Sequence, residues 1–394
     1  MTPGGAGLRV ALVGLGFGAE FAAIYLHHPQ VRSLAICDSD ERVLQEVGSK
    51  FGIPERCSDL RAVLDSPEID AVHLVTPIPL HARQSVAVLE AGKHCACTVP
   101  MATSLEDLRT VLRAQRSSKK TFMMMETAAY TREFLFVQEM ARRGELGRIQ
   151  MLRGAHYQDM ENWPPYWEGL PPMHYATHAV APLLLLAGTR ASAVHCFGSA
   201  WMREELRRRY GNPFPAETAI FRLEGCEAAM EVTRTLFHTA RAYTESFHVY
   251  GEKASFEWQQ IEEEDPVVFR MEPAGKAAAD TDARRGRRVF AERVQPPDRQ
   301  DLLPEEIRRF TRRGYYDKEN PHLSFLQGGG HGGSHPHLVH AFLSAVVEGK
   351  PPLLDAVTSA DITAAGICAH VSAMKNGERV DIPGFDAQEC GSHG

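Results

Sequence analysis

The chain has 394 residues, 44% of them apolar and 24% charged, with a formal net charge of −7. This length exceeds that of one ordinary domain and fits two, and the apolar content suffices for a sizeable core. The negative charge argues against a nucleic-acid partner, and no apolar run approaches the ~18 residues of a membrane span. Residues 1–7 lack the charged and cleavage segments of a signal peptide, so we expect a cytoplasmic protein without a membrane partner.

The first part of the chain alternates short apolar runs with amphipathic segments. The apolar runs that predict strands are residues 8–14, 33–38, 71–76, 94–99 and 121–126. Between them lie segments with helical spacing, at residues 17–28, 40–52, 80–92 and 104–118. Ser104 and Asp107 predict an N-cap for the last of these helices. Alternation of strand and helix indicates a doubly wound parallel sheet, so we predict an α/β domain over residues 1–128.

The second part of the chain is richer in strands. After a predicted helix at 131–144, strand patterns follow one another at residues 148–158, 191–201, 216–225, 227–237, 244–251 and 254–260. Two more helices are predicted near 335–348 and 358–375. Strands without intervening helices favour antiparallel pairing. We therefore predict an α+β domain over residues 129–394 with a large, mostly antiparallel sheet.

The sequence GLGFGA at residues 14–19 connects the first predicted strand to the first predicted helix. Its first glycine permits a tight turn, its second lets the backbone approach a pyrophosphate, and its alanine allows close packing of helix on strand. The amides of the helix N-terminus then face the phosphates. The predicted phosphate-binding residues are Gly14, Gly16, Phe17, Gly18 and Ala19.

Asp38 ends the second predicted strand, where a carboxylate accepts hydrogen bonds from the ribose hydroxyls and repels a 2′-phosphate. This placement favours NAD over NADP. The alternative is an aspartate that only caps a helix in an unrelated unit. Thr76, Pro77 and His81 follow the next strand, whose tip faces the same crevice. His81 equally fits a role in starting its own helix.

These segments resemble the Gfo/Idh/MocA oxidoreductases over essentially the whole chain. The resemblance rests on TPIPLH at 76–81, on GKHCACTVPMA at 92–102 and on the β-rich second half. The family usually carries a lysine directly before this proline, whereas here Thr98 and Val99 precede it. It also carries an aspartate and a histidine four residues apart on a later helix. His174 and His178 occupy those two positions here.

A nearer resemblance is to the NAD-dependent glycoside hydrolase branch, which includes α-N-acetylgalactosaminidases, and to a related branch that hydrolyses sulfoquinovosides. The segments that carry it are ETAAYTRE at 126–133, YATHAVAP at 175–182 and GGGHGGSHPH at 328–337. It implies oxidation of the sugar at C3 by bound NAD⁺, elimination between C1 and C2, addition of water, and reduction of the ketone by the retained NADH. Without the lysine, the acid–base steps would fall to histidines and tyrosines.

The resemblance also implies roles for individual residues. His178 would deprotonate the C3 hydroxyl, since an ordinary imidazole has a pKa near ~6.5. Tyr130 and Tyr175 would serve as the C2 base and the leaving-group acid, with His174 beside them. The alternatives are a packed histidine pair and a core aromatic. A zinc site on His174 and His178 lacks an acidic third ligand at a familiar spacing, so we predict no metal.

Substrate contacts are expected from two further segments. Trp163, Tyr166 and Trp167 could stack on the C–H face of a sugar, or could simply pin a proline-rich loop. His331 and His335 lie in the glycine-rich run and could donate hydrogen bonds, or could belong to a loop without contacts. We expect a glycoside substrate and, from the resemblance, a homodimer or homotetramer. The alternative functions are an NAD-dependent sugar dehydrogenase and a non-catalytic NAD-binding protein.

Overall fold

A computed structural model describes residues 7–163, 169–199, 201–273, 287–312, 314–321, 324–326 and 331–385. Two large sheets organise this part of the chain. None of its helices is both long and apolar enough to cross a membrane.

The first sheet has six parallel strands, and helices connect most of them. The strands are β1 (Leu8–Val13), β2 (Val31–Cys37), β3 (Arg56–Cys57), β4 (Ala71–Leu74), β5 (His94–Cys97) and β6 (Phe122–Met124), in the spatial order β3-β2-β1-β4-β5-β6. The helices are α1 (Ala19–His27), α2 (Glu41–Lys50), α3 (Leu60–Asp65), α4 (His81–Glu90) and α5 (Leu105–Ser118). Strand order reverses next to β1, which is the topological switch point of a doubly wound sheet. The predicted fold class is confirmed.

Local capping signals explain where two of these helices begin. The side chain of Ser104 accepts a hydrogen bond from the Asp107 amide at 3.1 Å, as predicted, and Asp40 caps α2 in the same way. The sequence did not predict β3 or α3. With two and six residues, these elements are too short for a periodic pattern to define them.

The second sheet has nine strands in the order β14-β13-β12-β11-β7-β10-β9-β8-β17. Its strands are β7 (Ile149–Tyr157), β8 (Ala191–Gly198), β9 (Ala216–Leu223), β10 (Cys226–Thr235), β11 (Thr244–Gly251), β12 (Ala254–Glu257), β13 (Val267–Met271), β14 (Val289–Arg293) and β17 (Val380–Asp381). The pair β7 and β10 is parallel and every other pair is antiparallel, in agreement with the predicted mostly antiparallel sheet. The sequence missed β13, β14 and β17. A separate ribbon joins β15 (Gly314–Tyr315) to β16 (Phe325–Leu326).

Five helices belong to the described part of this half of the chain. They are α6 (Arg132–Arg142), α7 (Thr177–Ala187), α8 (Glu204–Tyr210), α9 (Ser334–Glu348) and α10 (Ala356–Met374), and α7 and α10 among them pack on strands of the large sheet. Helix α7 is buried from Thr177 to Leu184 and packs on β7. A side chain at Gly154 of β7 would place its Cβ 2.3 Å from the Ala179 carbonyl oxygen, so the glycine permits this close approach. The start of α7 is thereby held against the strands that carry the polar groups described below.

Candidate active site

A cavity of about 1000 Å³ opens at the carboxyl ends of the parallel strands. It begins between Asp38 and Asp59, passes the first helix near Gly16, and ends beside Tyr175 and His178 of the second half of the chain. This is the position at which doubly wound sheets bind dinucleotides.

The first half of the cavity fits NAD. Gly14 has a φ of +87°, and a Cβ there would lie 2.3 Å from the Val75 carbonyl oxygen, so only glycine fits this turn. Gly16 lines the cavity, and no atom lies within 4 Å of the position that a Cβ would take there. The Asp38 carboxylate accepts hydrogen bonds from the amides of Leu15 at 2.6 Å and Asp40 at 2.9 Å, which fix it at the cavity wall. With Asp59 beside it, this end disfavours a 2′-phosphate.

Replacing Asp38 by asparagine is expected to weaken NAD binding at least about tenfold, because a charged acceptor for the ribose hydroxyls is lost. Quenching of intrinsic fluorescence by NADH measures this change. Asp40→Asn is the matched control, because Asp40 caps α2 at the surface and asparagine caps equally well. Equal affinities in the two variants would contradict the assigned role of Asp38.

The other predicted cofactor residues divide into two groups. Those that line the cavity are Phe17, Thr76, Pro77, His81, Thr98 and Val99. Gly18 and Ala19 do not line it and instead form the start of α1. The ring nitrogens of His81 lie 2.7 Å and 2.8 Å from the carbonyl oxygens of Pro100 and Thr76. His81 therefore holds two loops together at the cavity wall.

The far end of the cavity contains a buried acid–base cluster around His178. The Nδ1 atom of His178 lies 2.5 Å from Oε1 of Glu126, which follows β6. Its Nε2 atom lies 3.5 Å from Oε1 of Glu245 and 3.4 Å from the Tyr175 hydroxyl. Glu245 also accepts a hydrogen bond from Tyr243. His178, Tyr175 and Tyr243 line the cavity, so the cluster faces the space left for a substrate.

Three neighbouring strands carry the side chains that lie beneath this cluster. Arg234 of β10 pairs with His156 of β7, and His156 pairs in turn with Glu245 of β11. Directly opposed residues on neighbouring strands share a face. The three side chains therefore form a polar row on one face of the sheet, where they are 0–4% exposed.

Charges within the cluster shift its pKa values. Burial alone would lower the pKa of His178, but the carboxylates of Glu126 and Glu245 outweigh it and raise the pKa to about 9. Burial and the Arg234 charge lower the pKa of His156 well below its ordinary value. Burial opposes ionisation of Glu245, yet the surrounding histidines hold its pKa far below the usual range. His178 thus differs from the ordinary imidazole that the sequence suggested.

Arg234 holds residues of the cluster and its surroundings in place through hydrogen bonds. Its guanidinium donates hydrogen bonds to the carbonyl oxygens of Tyr175 at 3.1 Å, His156 at 3.2 Å and Thr235 at 2.5 Å, and to the Gln158 side chain at 2.7 Å. The same guanidinium lies 5.5 Å from the centre of the Tyr175 ring. Arg234 therefore fixes the backbone and the ring of a residue that faces the cavity.

Some predicted catalytic residues lie elsewhere. Tyr130 is buried in a turn between β6 and α6 and does not line the cavity. The ring of His174 points toward His370, with a centre-to-centre distance of 5.3 Å, rather than toward His178. Their positions do not support a catalytic role for Tyr130 or His174.

Only some of the predicted substrate residues line the cavity. Trp163 and His331 line the cavity. His335 is fully buried and does not line the cavity, and its ring packs 4.6 Å from that of Phe21 in α1. Tyr166 and Trp167 fall outside the described residues. The sequence also did not point to several polar residues at this end of the cavity: Glu126, His156, Gln158, Arg234, Tyr243 and Glu245.

Comparison with known proteins agrees with this geometry. Residues 8–126 match the model of the GFO/IDH/MocA oxidoreductase family, NAD-binding Rossmann fold, and residues 134–257 match the C-terminal domain of that family. A glycosyl hydrolase family 109 protein of Bacteroides thetaiotaomicron is 30% identical over 201 residues, which cover 46% of this chain and 43% of the relative. The levoglucosan dehydrogenase of Pseudarthrobacter phenanthrenivorans is 29% identical over 217 residues, which cover 50% and 55%.

These alignments span only about half the length of the curated relatives. Among solved structures, a levoglucosan dehydrogenase in complex with NADH and levoglucosan has a TM-score of 0.75 at 23% identity, covering 96% of this chain and 100% of the other. At that identity the likeness concerns the fold.

Proposed function

Because the chain belongs to the Gfo/Idh/MocA family of NAD-binding oxidoreductases, we propose that it is an NAD-dependent glycoside hydrolase that works through transient oxidation of the sugar at C3. The observation that carries this proposal is the buried cluster around His178, which faces the end of the dinucleotide cavity opposite Asp38. Bound NAD⁺ would supply the acceptor for the hydride of C3 and, once reduced, the donor that restores it.

The acid–base residues fit a reaction with several proton transfers. Oxidation at C3, elimination of the C1 substituent with loss of the C2 proton, and addition of water each need a proton acceptor or donor. Four side chains that can transfer protons line the cavity: His178, Tyr175, Tyr243 and His331. A single oxidation requires fewer such groups. Val99 stands where the family usually carries lysine, and these four are the titratable side chains that the described second half of the chain contributes to the cavity.

The charge of the cavity favours a neutral sugar. Among the described residues that line it, none is lysine or arginine. A sulfonate such as that of sulfoquinovose needs a basic partner to offset its desolvation. We therefore propose a neutral or N-acetylated glycoside as substrate and retain sulfoquinovosides as a comparison.

The test is NMR of the sugar released from a panel of aryl glycosides in heavy water, with aryl N-acetylgalactosaminides, glucosides and sulfoquinovosides included. We expect deuterium at C2 of the released sugar and no net formation of NADH, because the C2 proton is exchanged and the cofactor is recycled. Hydrolysis without deuterium at C2 would contradict the elimination route.

A dehydrogenase is the second candidate. It is favoured by the curated levoglucosan dehydrogenase, whose identity to this chain is 29% against 30% for the hydrolase relative. The same experiment separates the two activities. Stoichiometric NADH with intact glycosidic bonds would identify a sugar dehydrogenase.

A further inference from the structure

His156, His178 and Glu245 place three potential metal ligands together in the protein interior. One atom from each residue lies within 4.8 Å of the other two. Oε1 of Glu245 is 3.5 Å from Nε2 of His178 and 3.9 Å from Nε2 of His156. The three side chains are at most 2% exposed, so they are shielded from bulk water.

These separations agree with a tetrahedral ion. Nitrogen and oxygen ligands lie about 2.0–2.2 Å from Zn²⁺, so two ligands at the tetrahedral angle are separated by about 3.3 Å. Nε2 of His331 adds a further nitrogen 3.3 Å from Oε1 of Glu245, at the cavity edge. Oε1 of Glu245 thus lies 3.3–3.9 Å from a ring nitrogen of each of the three histidines, close to the separation of two ligands on one small divalent cation.

Several polar atoms in this group lack a protein partner. Among the described residues, both ring nitrogens of His156 and Oε2 of Glu245 are buried without a hydrogen bond. A buried polar atom left unpaired costs about 1–3 kcal/mol. A ligand that accepts electron pairs from a neutral imidazole and a carboxylate would satisfy these atoms.

The surroundings resemble the outer shell of a metal site. Nδ1 of His178 is held by the Glu126 carboxylate at 2.5 Å, which leaves Nε2 directed at the cluster. Tyr243 donates a hydrogen bond to Glu245. Histidine ligands are commonly oriented by a carboxylate on the other ring nitrogen, and ligating carboxylates are themselves hydrogen-bonded.

We propose that His156, His178 and Glu245 bind one divalent transition-metal ion, with Zn²⁺ the best match, and that its fourth position faces the cavity next to His331. The prediction of no metal rested on the lack of an acidic third ligand at a familiar spacing from His174 and His178, whereas the ligands proposed here come from β7, α7 and β11. Resting on the proposed function, the open position would take a sugar hydroxyl, and the ion would make that hydroxyl more acidic. In the metal-bound state both ring nitrogens of His178 are engaged, so Tyr175, Tyr243 and His331 would carry the proton transfers while His178 holds the ion.

The experiment is metal analysis of the full chain purified without a histidine tag. The protein is stripped with a chelator, incubated with Zn²⁺, Mn²⁺ or Co²⁺ separately, dialysed, and analysed by mass spectrometry. We expect about one equivalent of Zn²⁺ per chain, and a Co²⁺ form whose visible absorption has the intensity of a tetrahedral site. His156→Gln should weaken Zn²⁺ affinity about a hundredfold while NADH still quenches fluorescence normally.

The matched control is His248→Asn on β11, a histidine outside the cluster that should bind Zn²⁺ as the wild type does. Less than a tenth of an equivalent of every metal in the wild type, or equal affinity in the His156 and His248 variants, would overturn the metal site. Hydrolysis that persists in the chelated, metal-free protein would overturn the role of the ion at the sugar hydroxyl and would leave the proposed function standing. Metal uptake without turnover of any glycoside would support the site and contradict the function.

Discussion

Replacement of His178 by alanine is expected to lower turnover about a thousandfold while NAD affinity changes less than about threefold. Acid–base groups contribute about 10²–10⁴ in rate, and His178 is the residue that joins Glu126, Glu245 and Tyr175 at the substrate end of the cavity. The Asp38 end of the cavity is built from other elements, so the cofactor should still bind. Initial rates on the best aryl glycoside and NADH fluorescence titrations measure the two quantities.

His174→Ala is the matched control for this variant. It removes the same side chain four positions earlier, from a ring that packs on His370 outside the cavity. We expect its turnover to stay within about fivefold of the wild type. Equal losses in the two variants would show that either substitution acts through the stability of this segment. The assignment of His178 would then fail.

The contrast between these two histidines shows where the sequence-based prediction and the structure differ. Residues four apart share a face only on a regular α-helix. Residues 172–175 form a short 3₁₀ turn, and α7 begins at Thr177, so His174 lies before the helix that carries His178. The spacing was visible in the sequence, but the change of helical geometry between the two residues was not.

The polar row on the sheet is visible in the sequence as charged residues at strand positions that are otherwise apolar. Arg234 has the same parity as the buried Met230 and Val232, and Glu245 has the same parity as the buried Phe247. A charged residue in the apolar register of a strand indicates a buried polar function. Each residue could therefore have been singled out by itself.

The sequence alone does not predict that Arg234, His156 and Glu245 lie side by side. Strands β10, β7 and β11 are neighbours only because β7 inserts between two strands that come much later in the chain. The β7–β10 pair is also parallel within an otherwise antiparallel sheet. Register across such pairs depends on the whole topology, which local periodicity does not contain. The Rossmann half was more predictable. The glycine-rich fingerprint that follows its first strand is recognised from residues that are adjacent in the sequence.

Replacement of Arg234 by methionine is expected to lower the free energy of unfolding by about 3–5 kcal/mol. Removal of one member of a buried polar network leaves its partners buried without hydrogen bonds. The guanidinium is fully buried and satisfies three carbonyl oxygens and the side chain of Gln158. Methionine keeps much of the volume but donates no hydrogen bond. Urea denaturation followed by circular dichroism measures the loss, provided that the transition is two-state.

Arg153→Met on the adjacent strand β7 is the control, since Arg153 is exposed and pairs with Glu231 at the surface. A surface ion pair contributes at most about 1 kcal/mol, so this variant should unfold at nearly the wild-type urea concentration. Arg234→Met should also lose turnover beyond what its stability explains, because Tyr175 loses the group that fixes its backbone and ring. A variant that remains as stable and as active as Arg153→Met would show that the polar row neither supports the fold nor positions Tyr175.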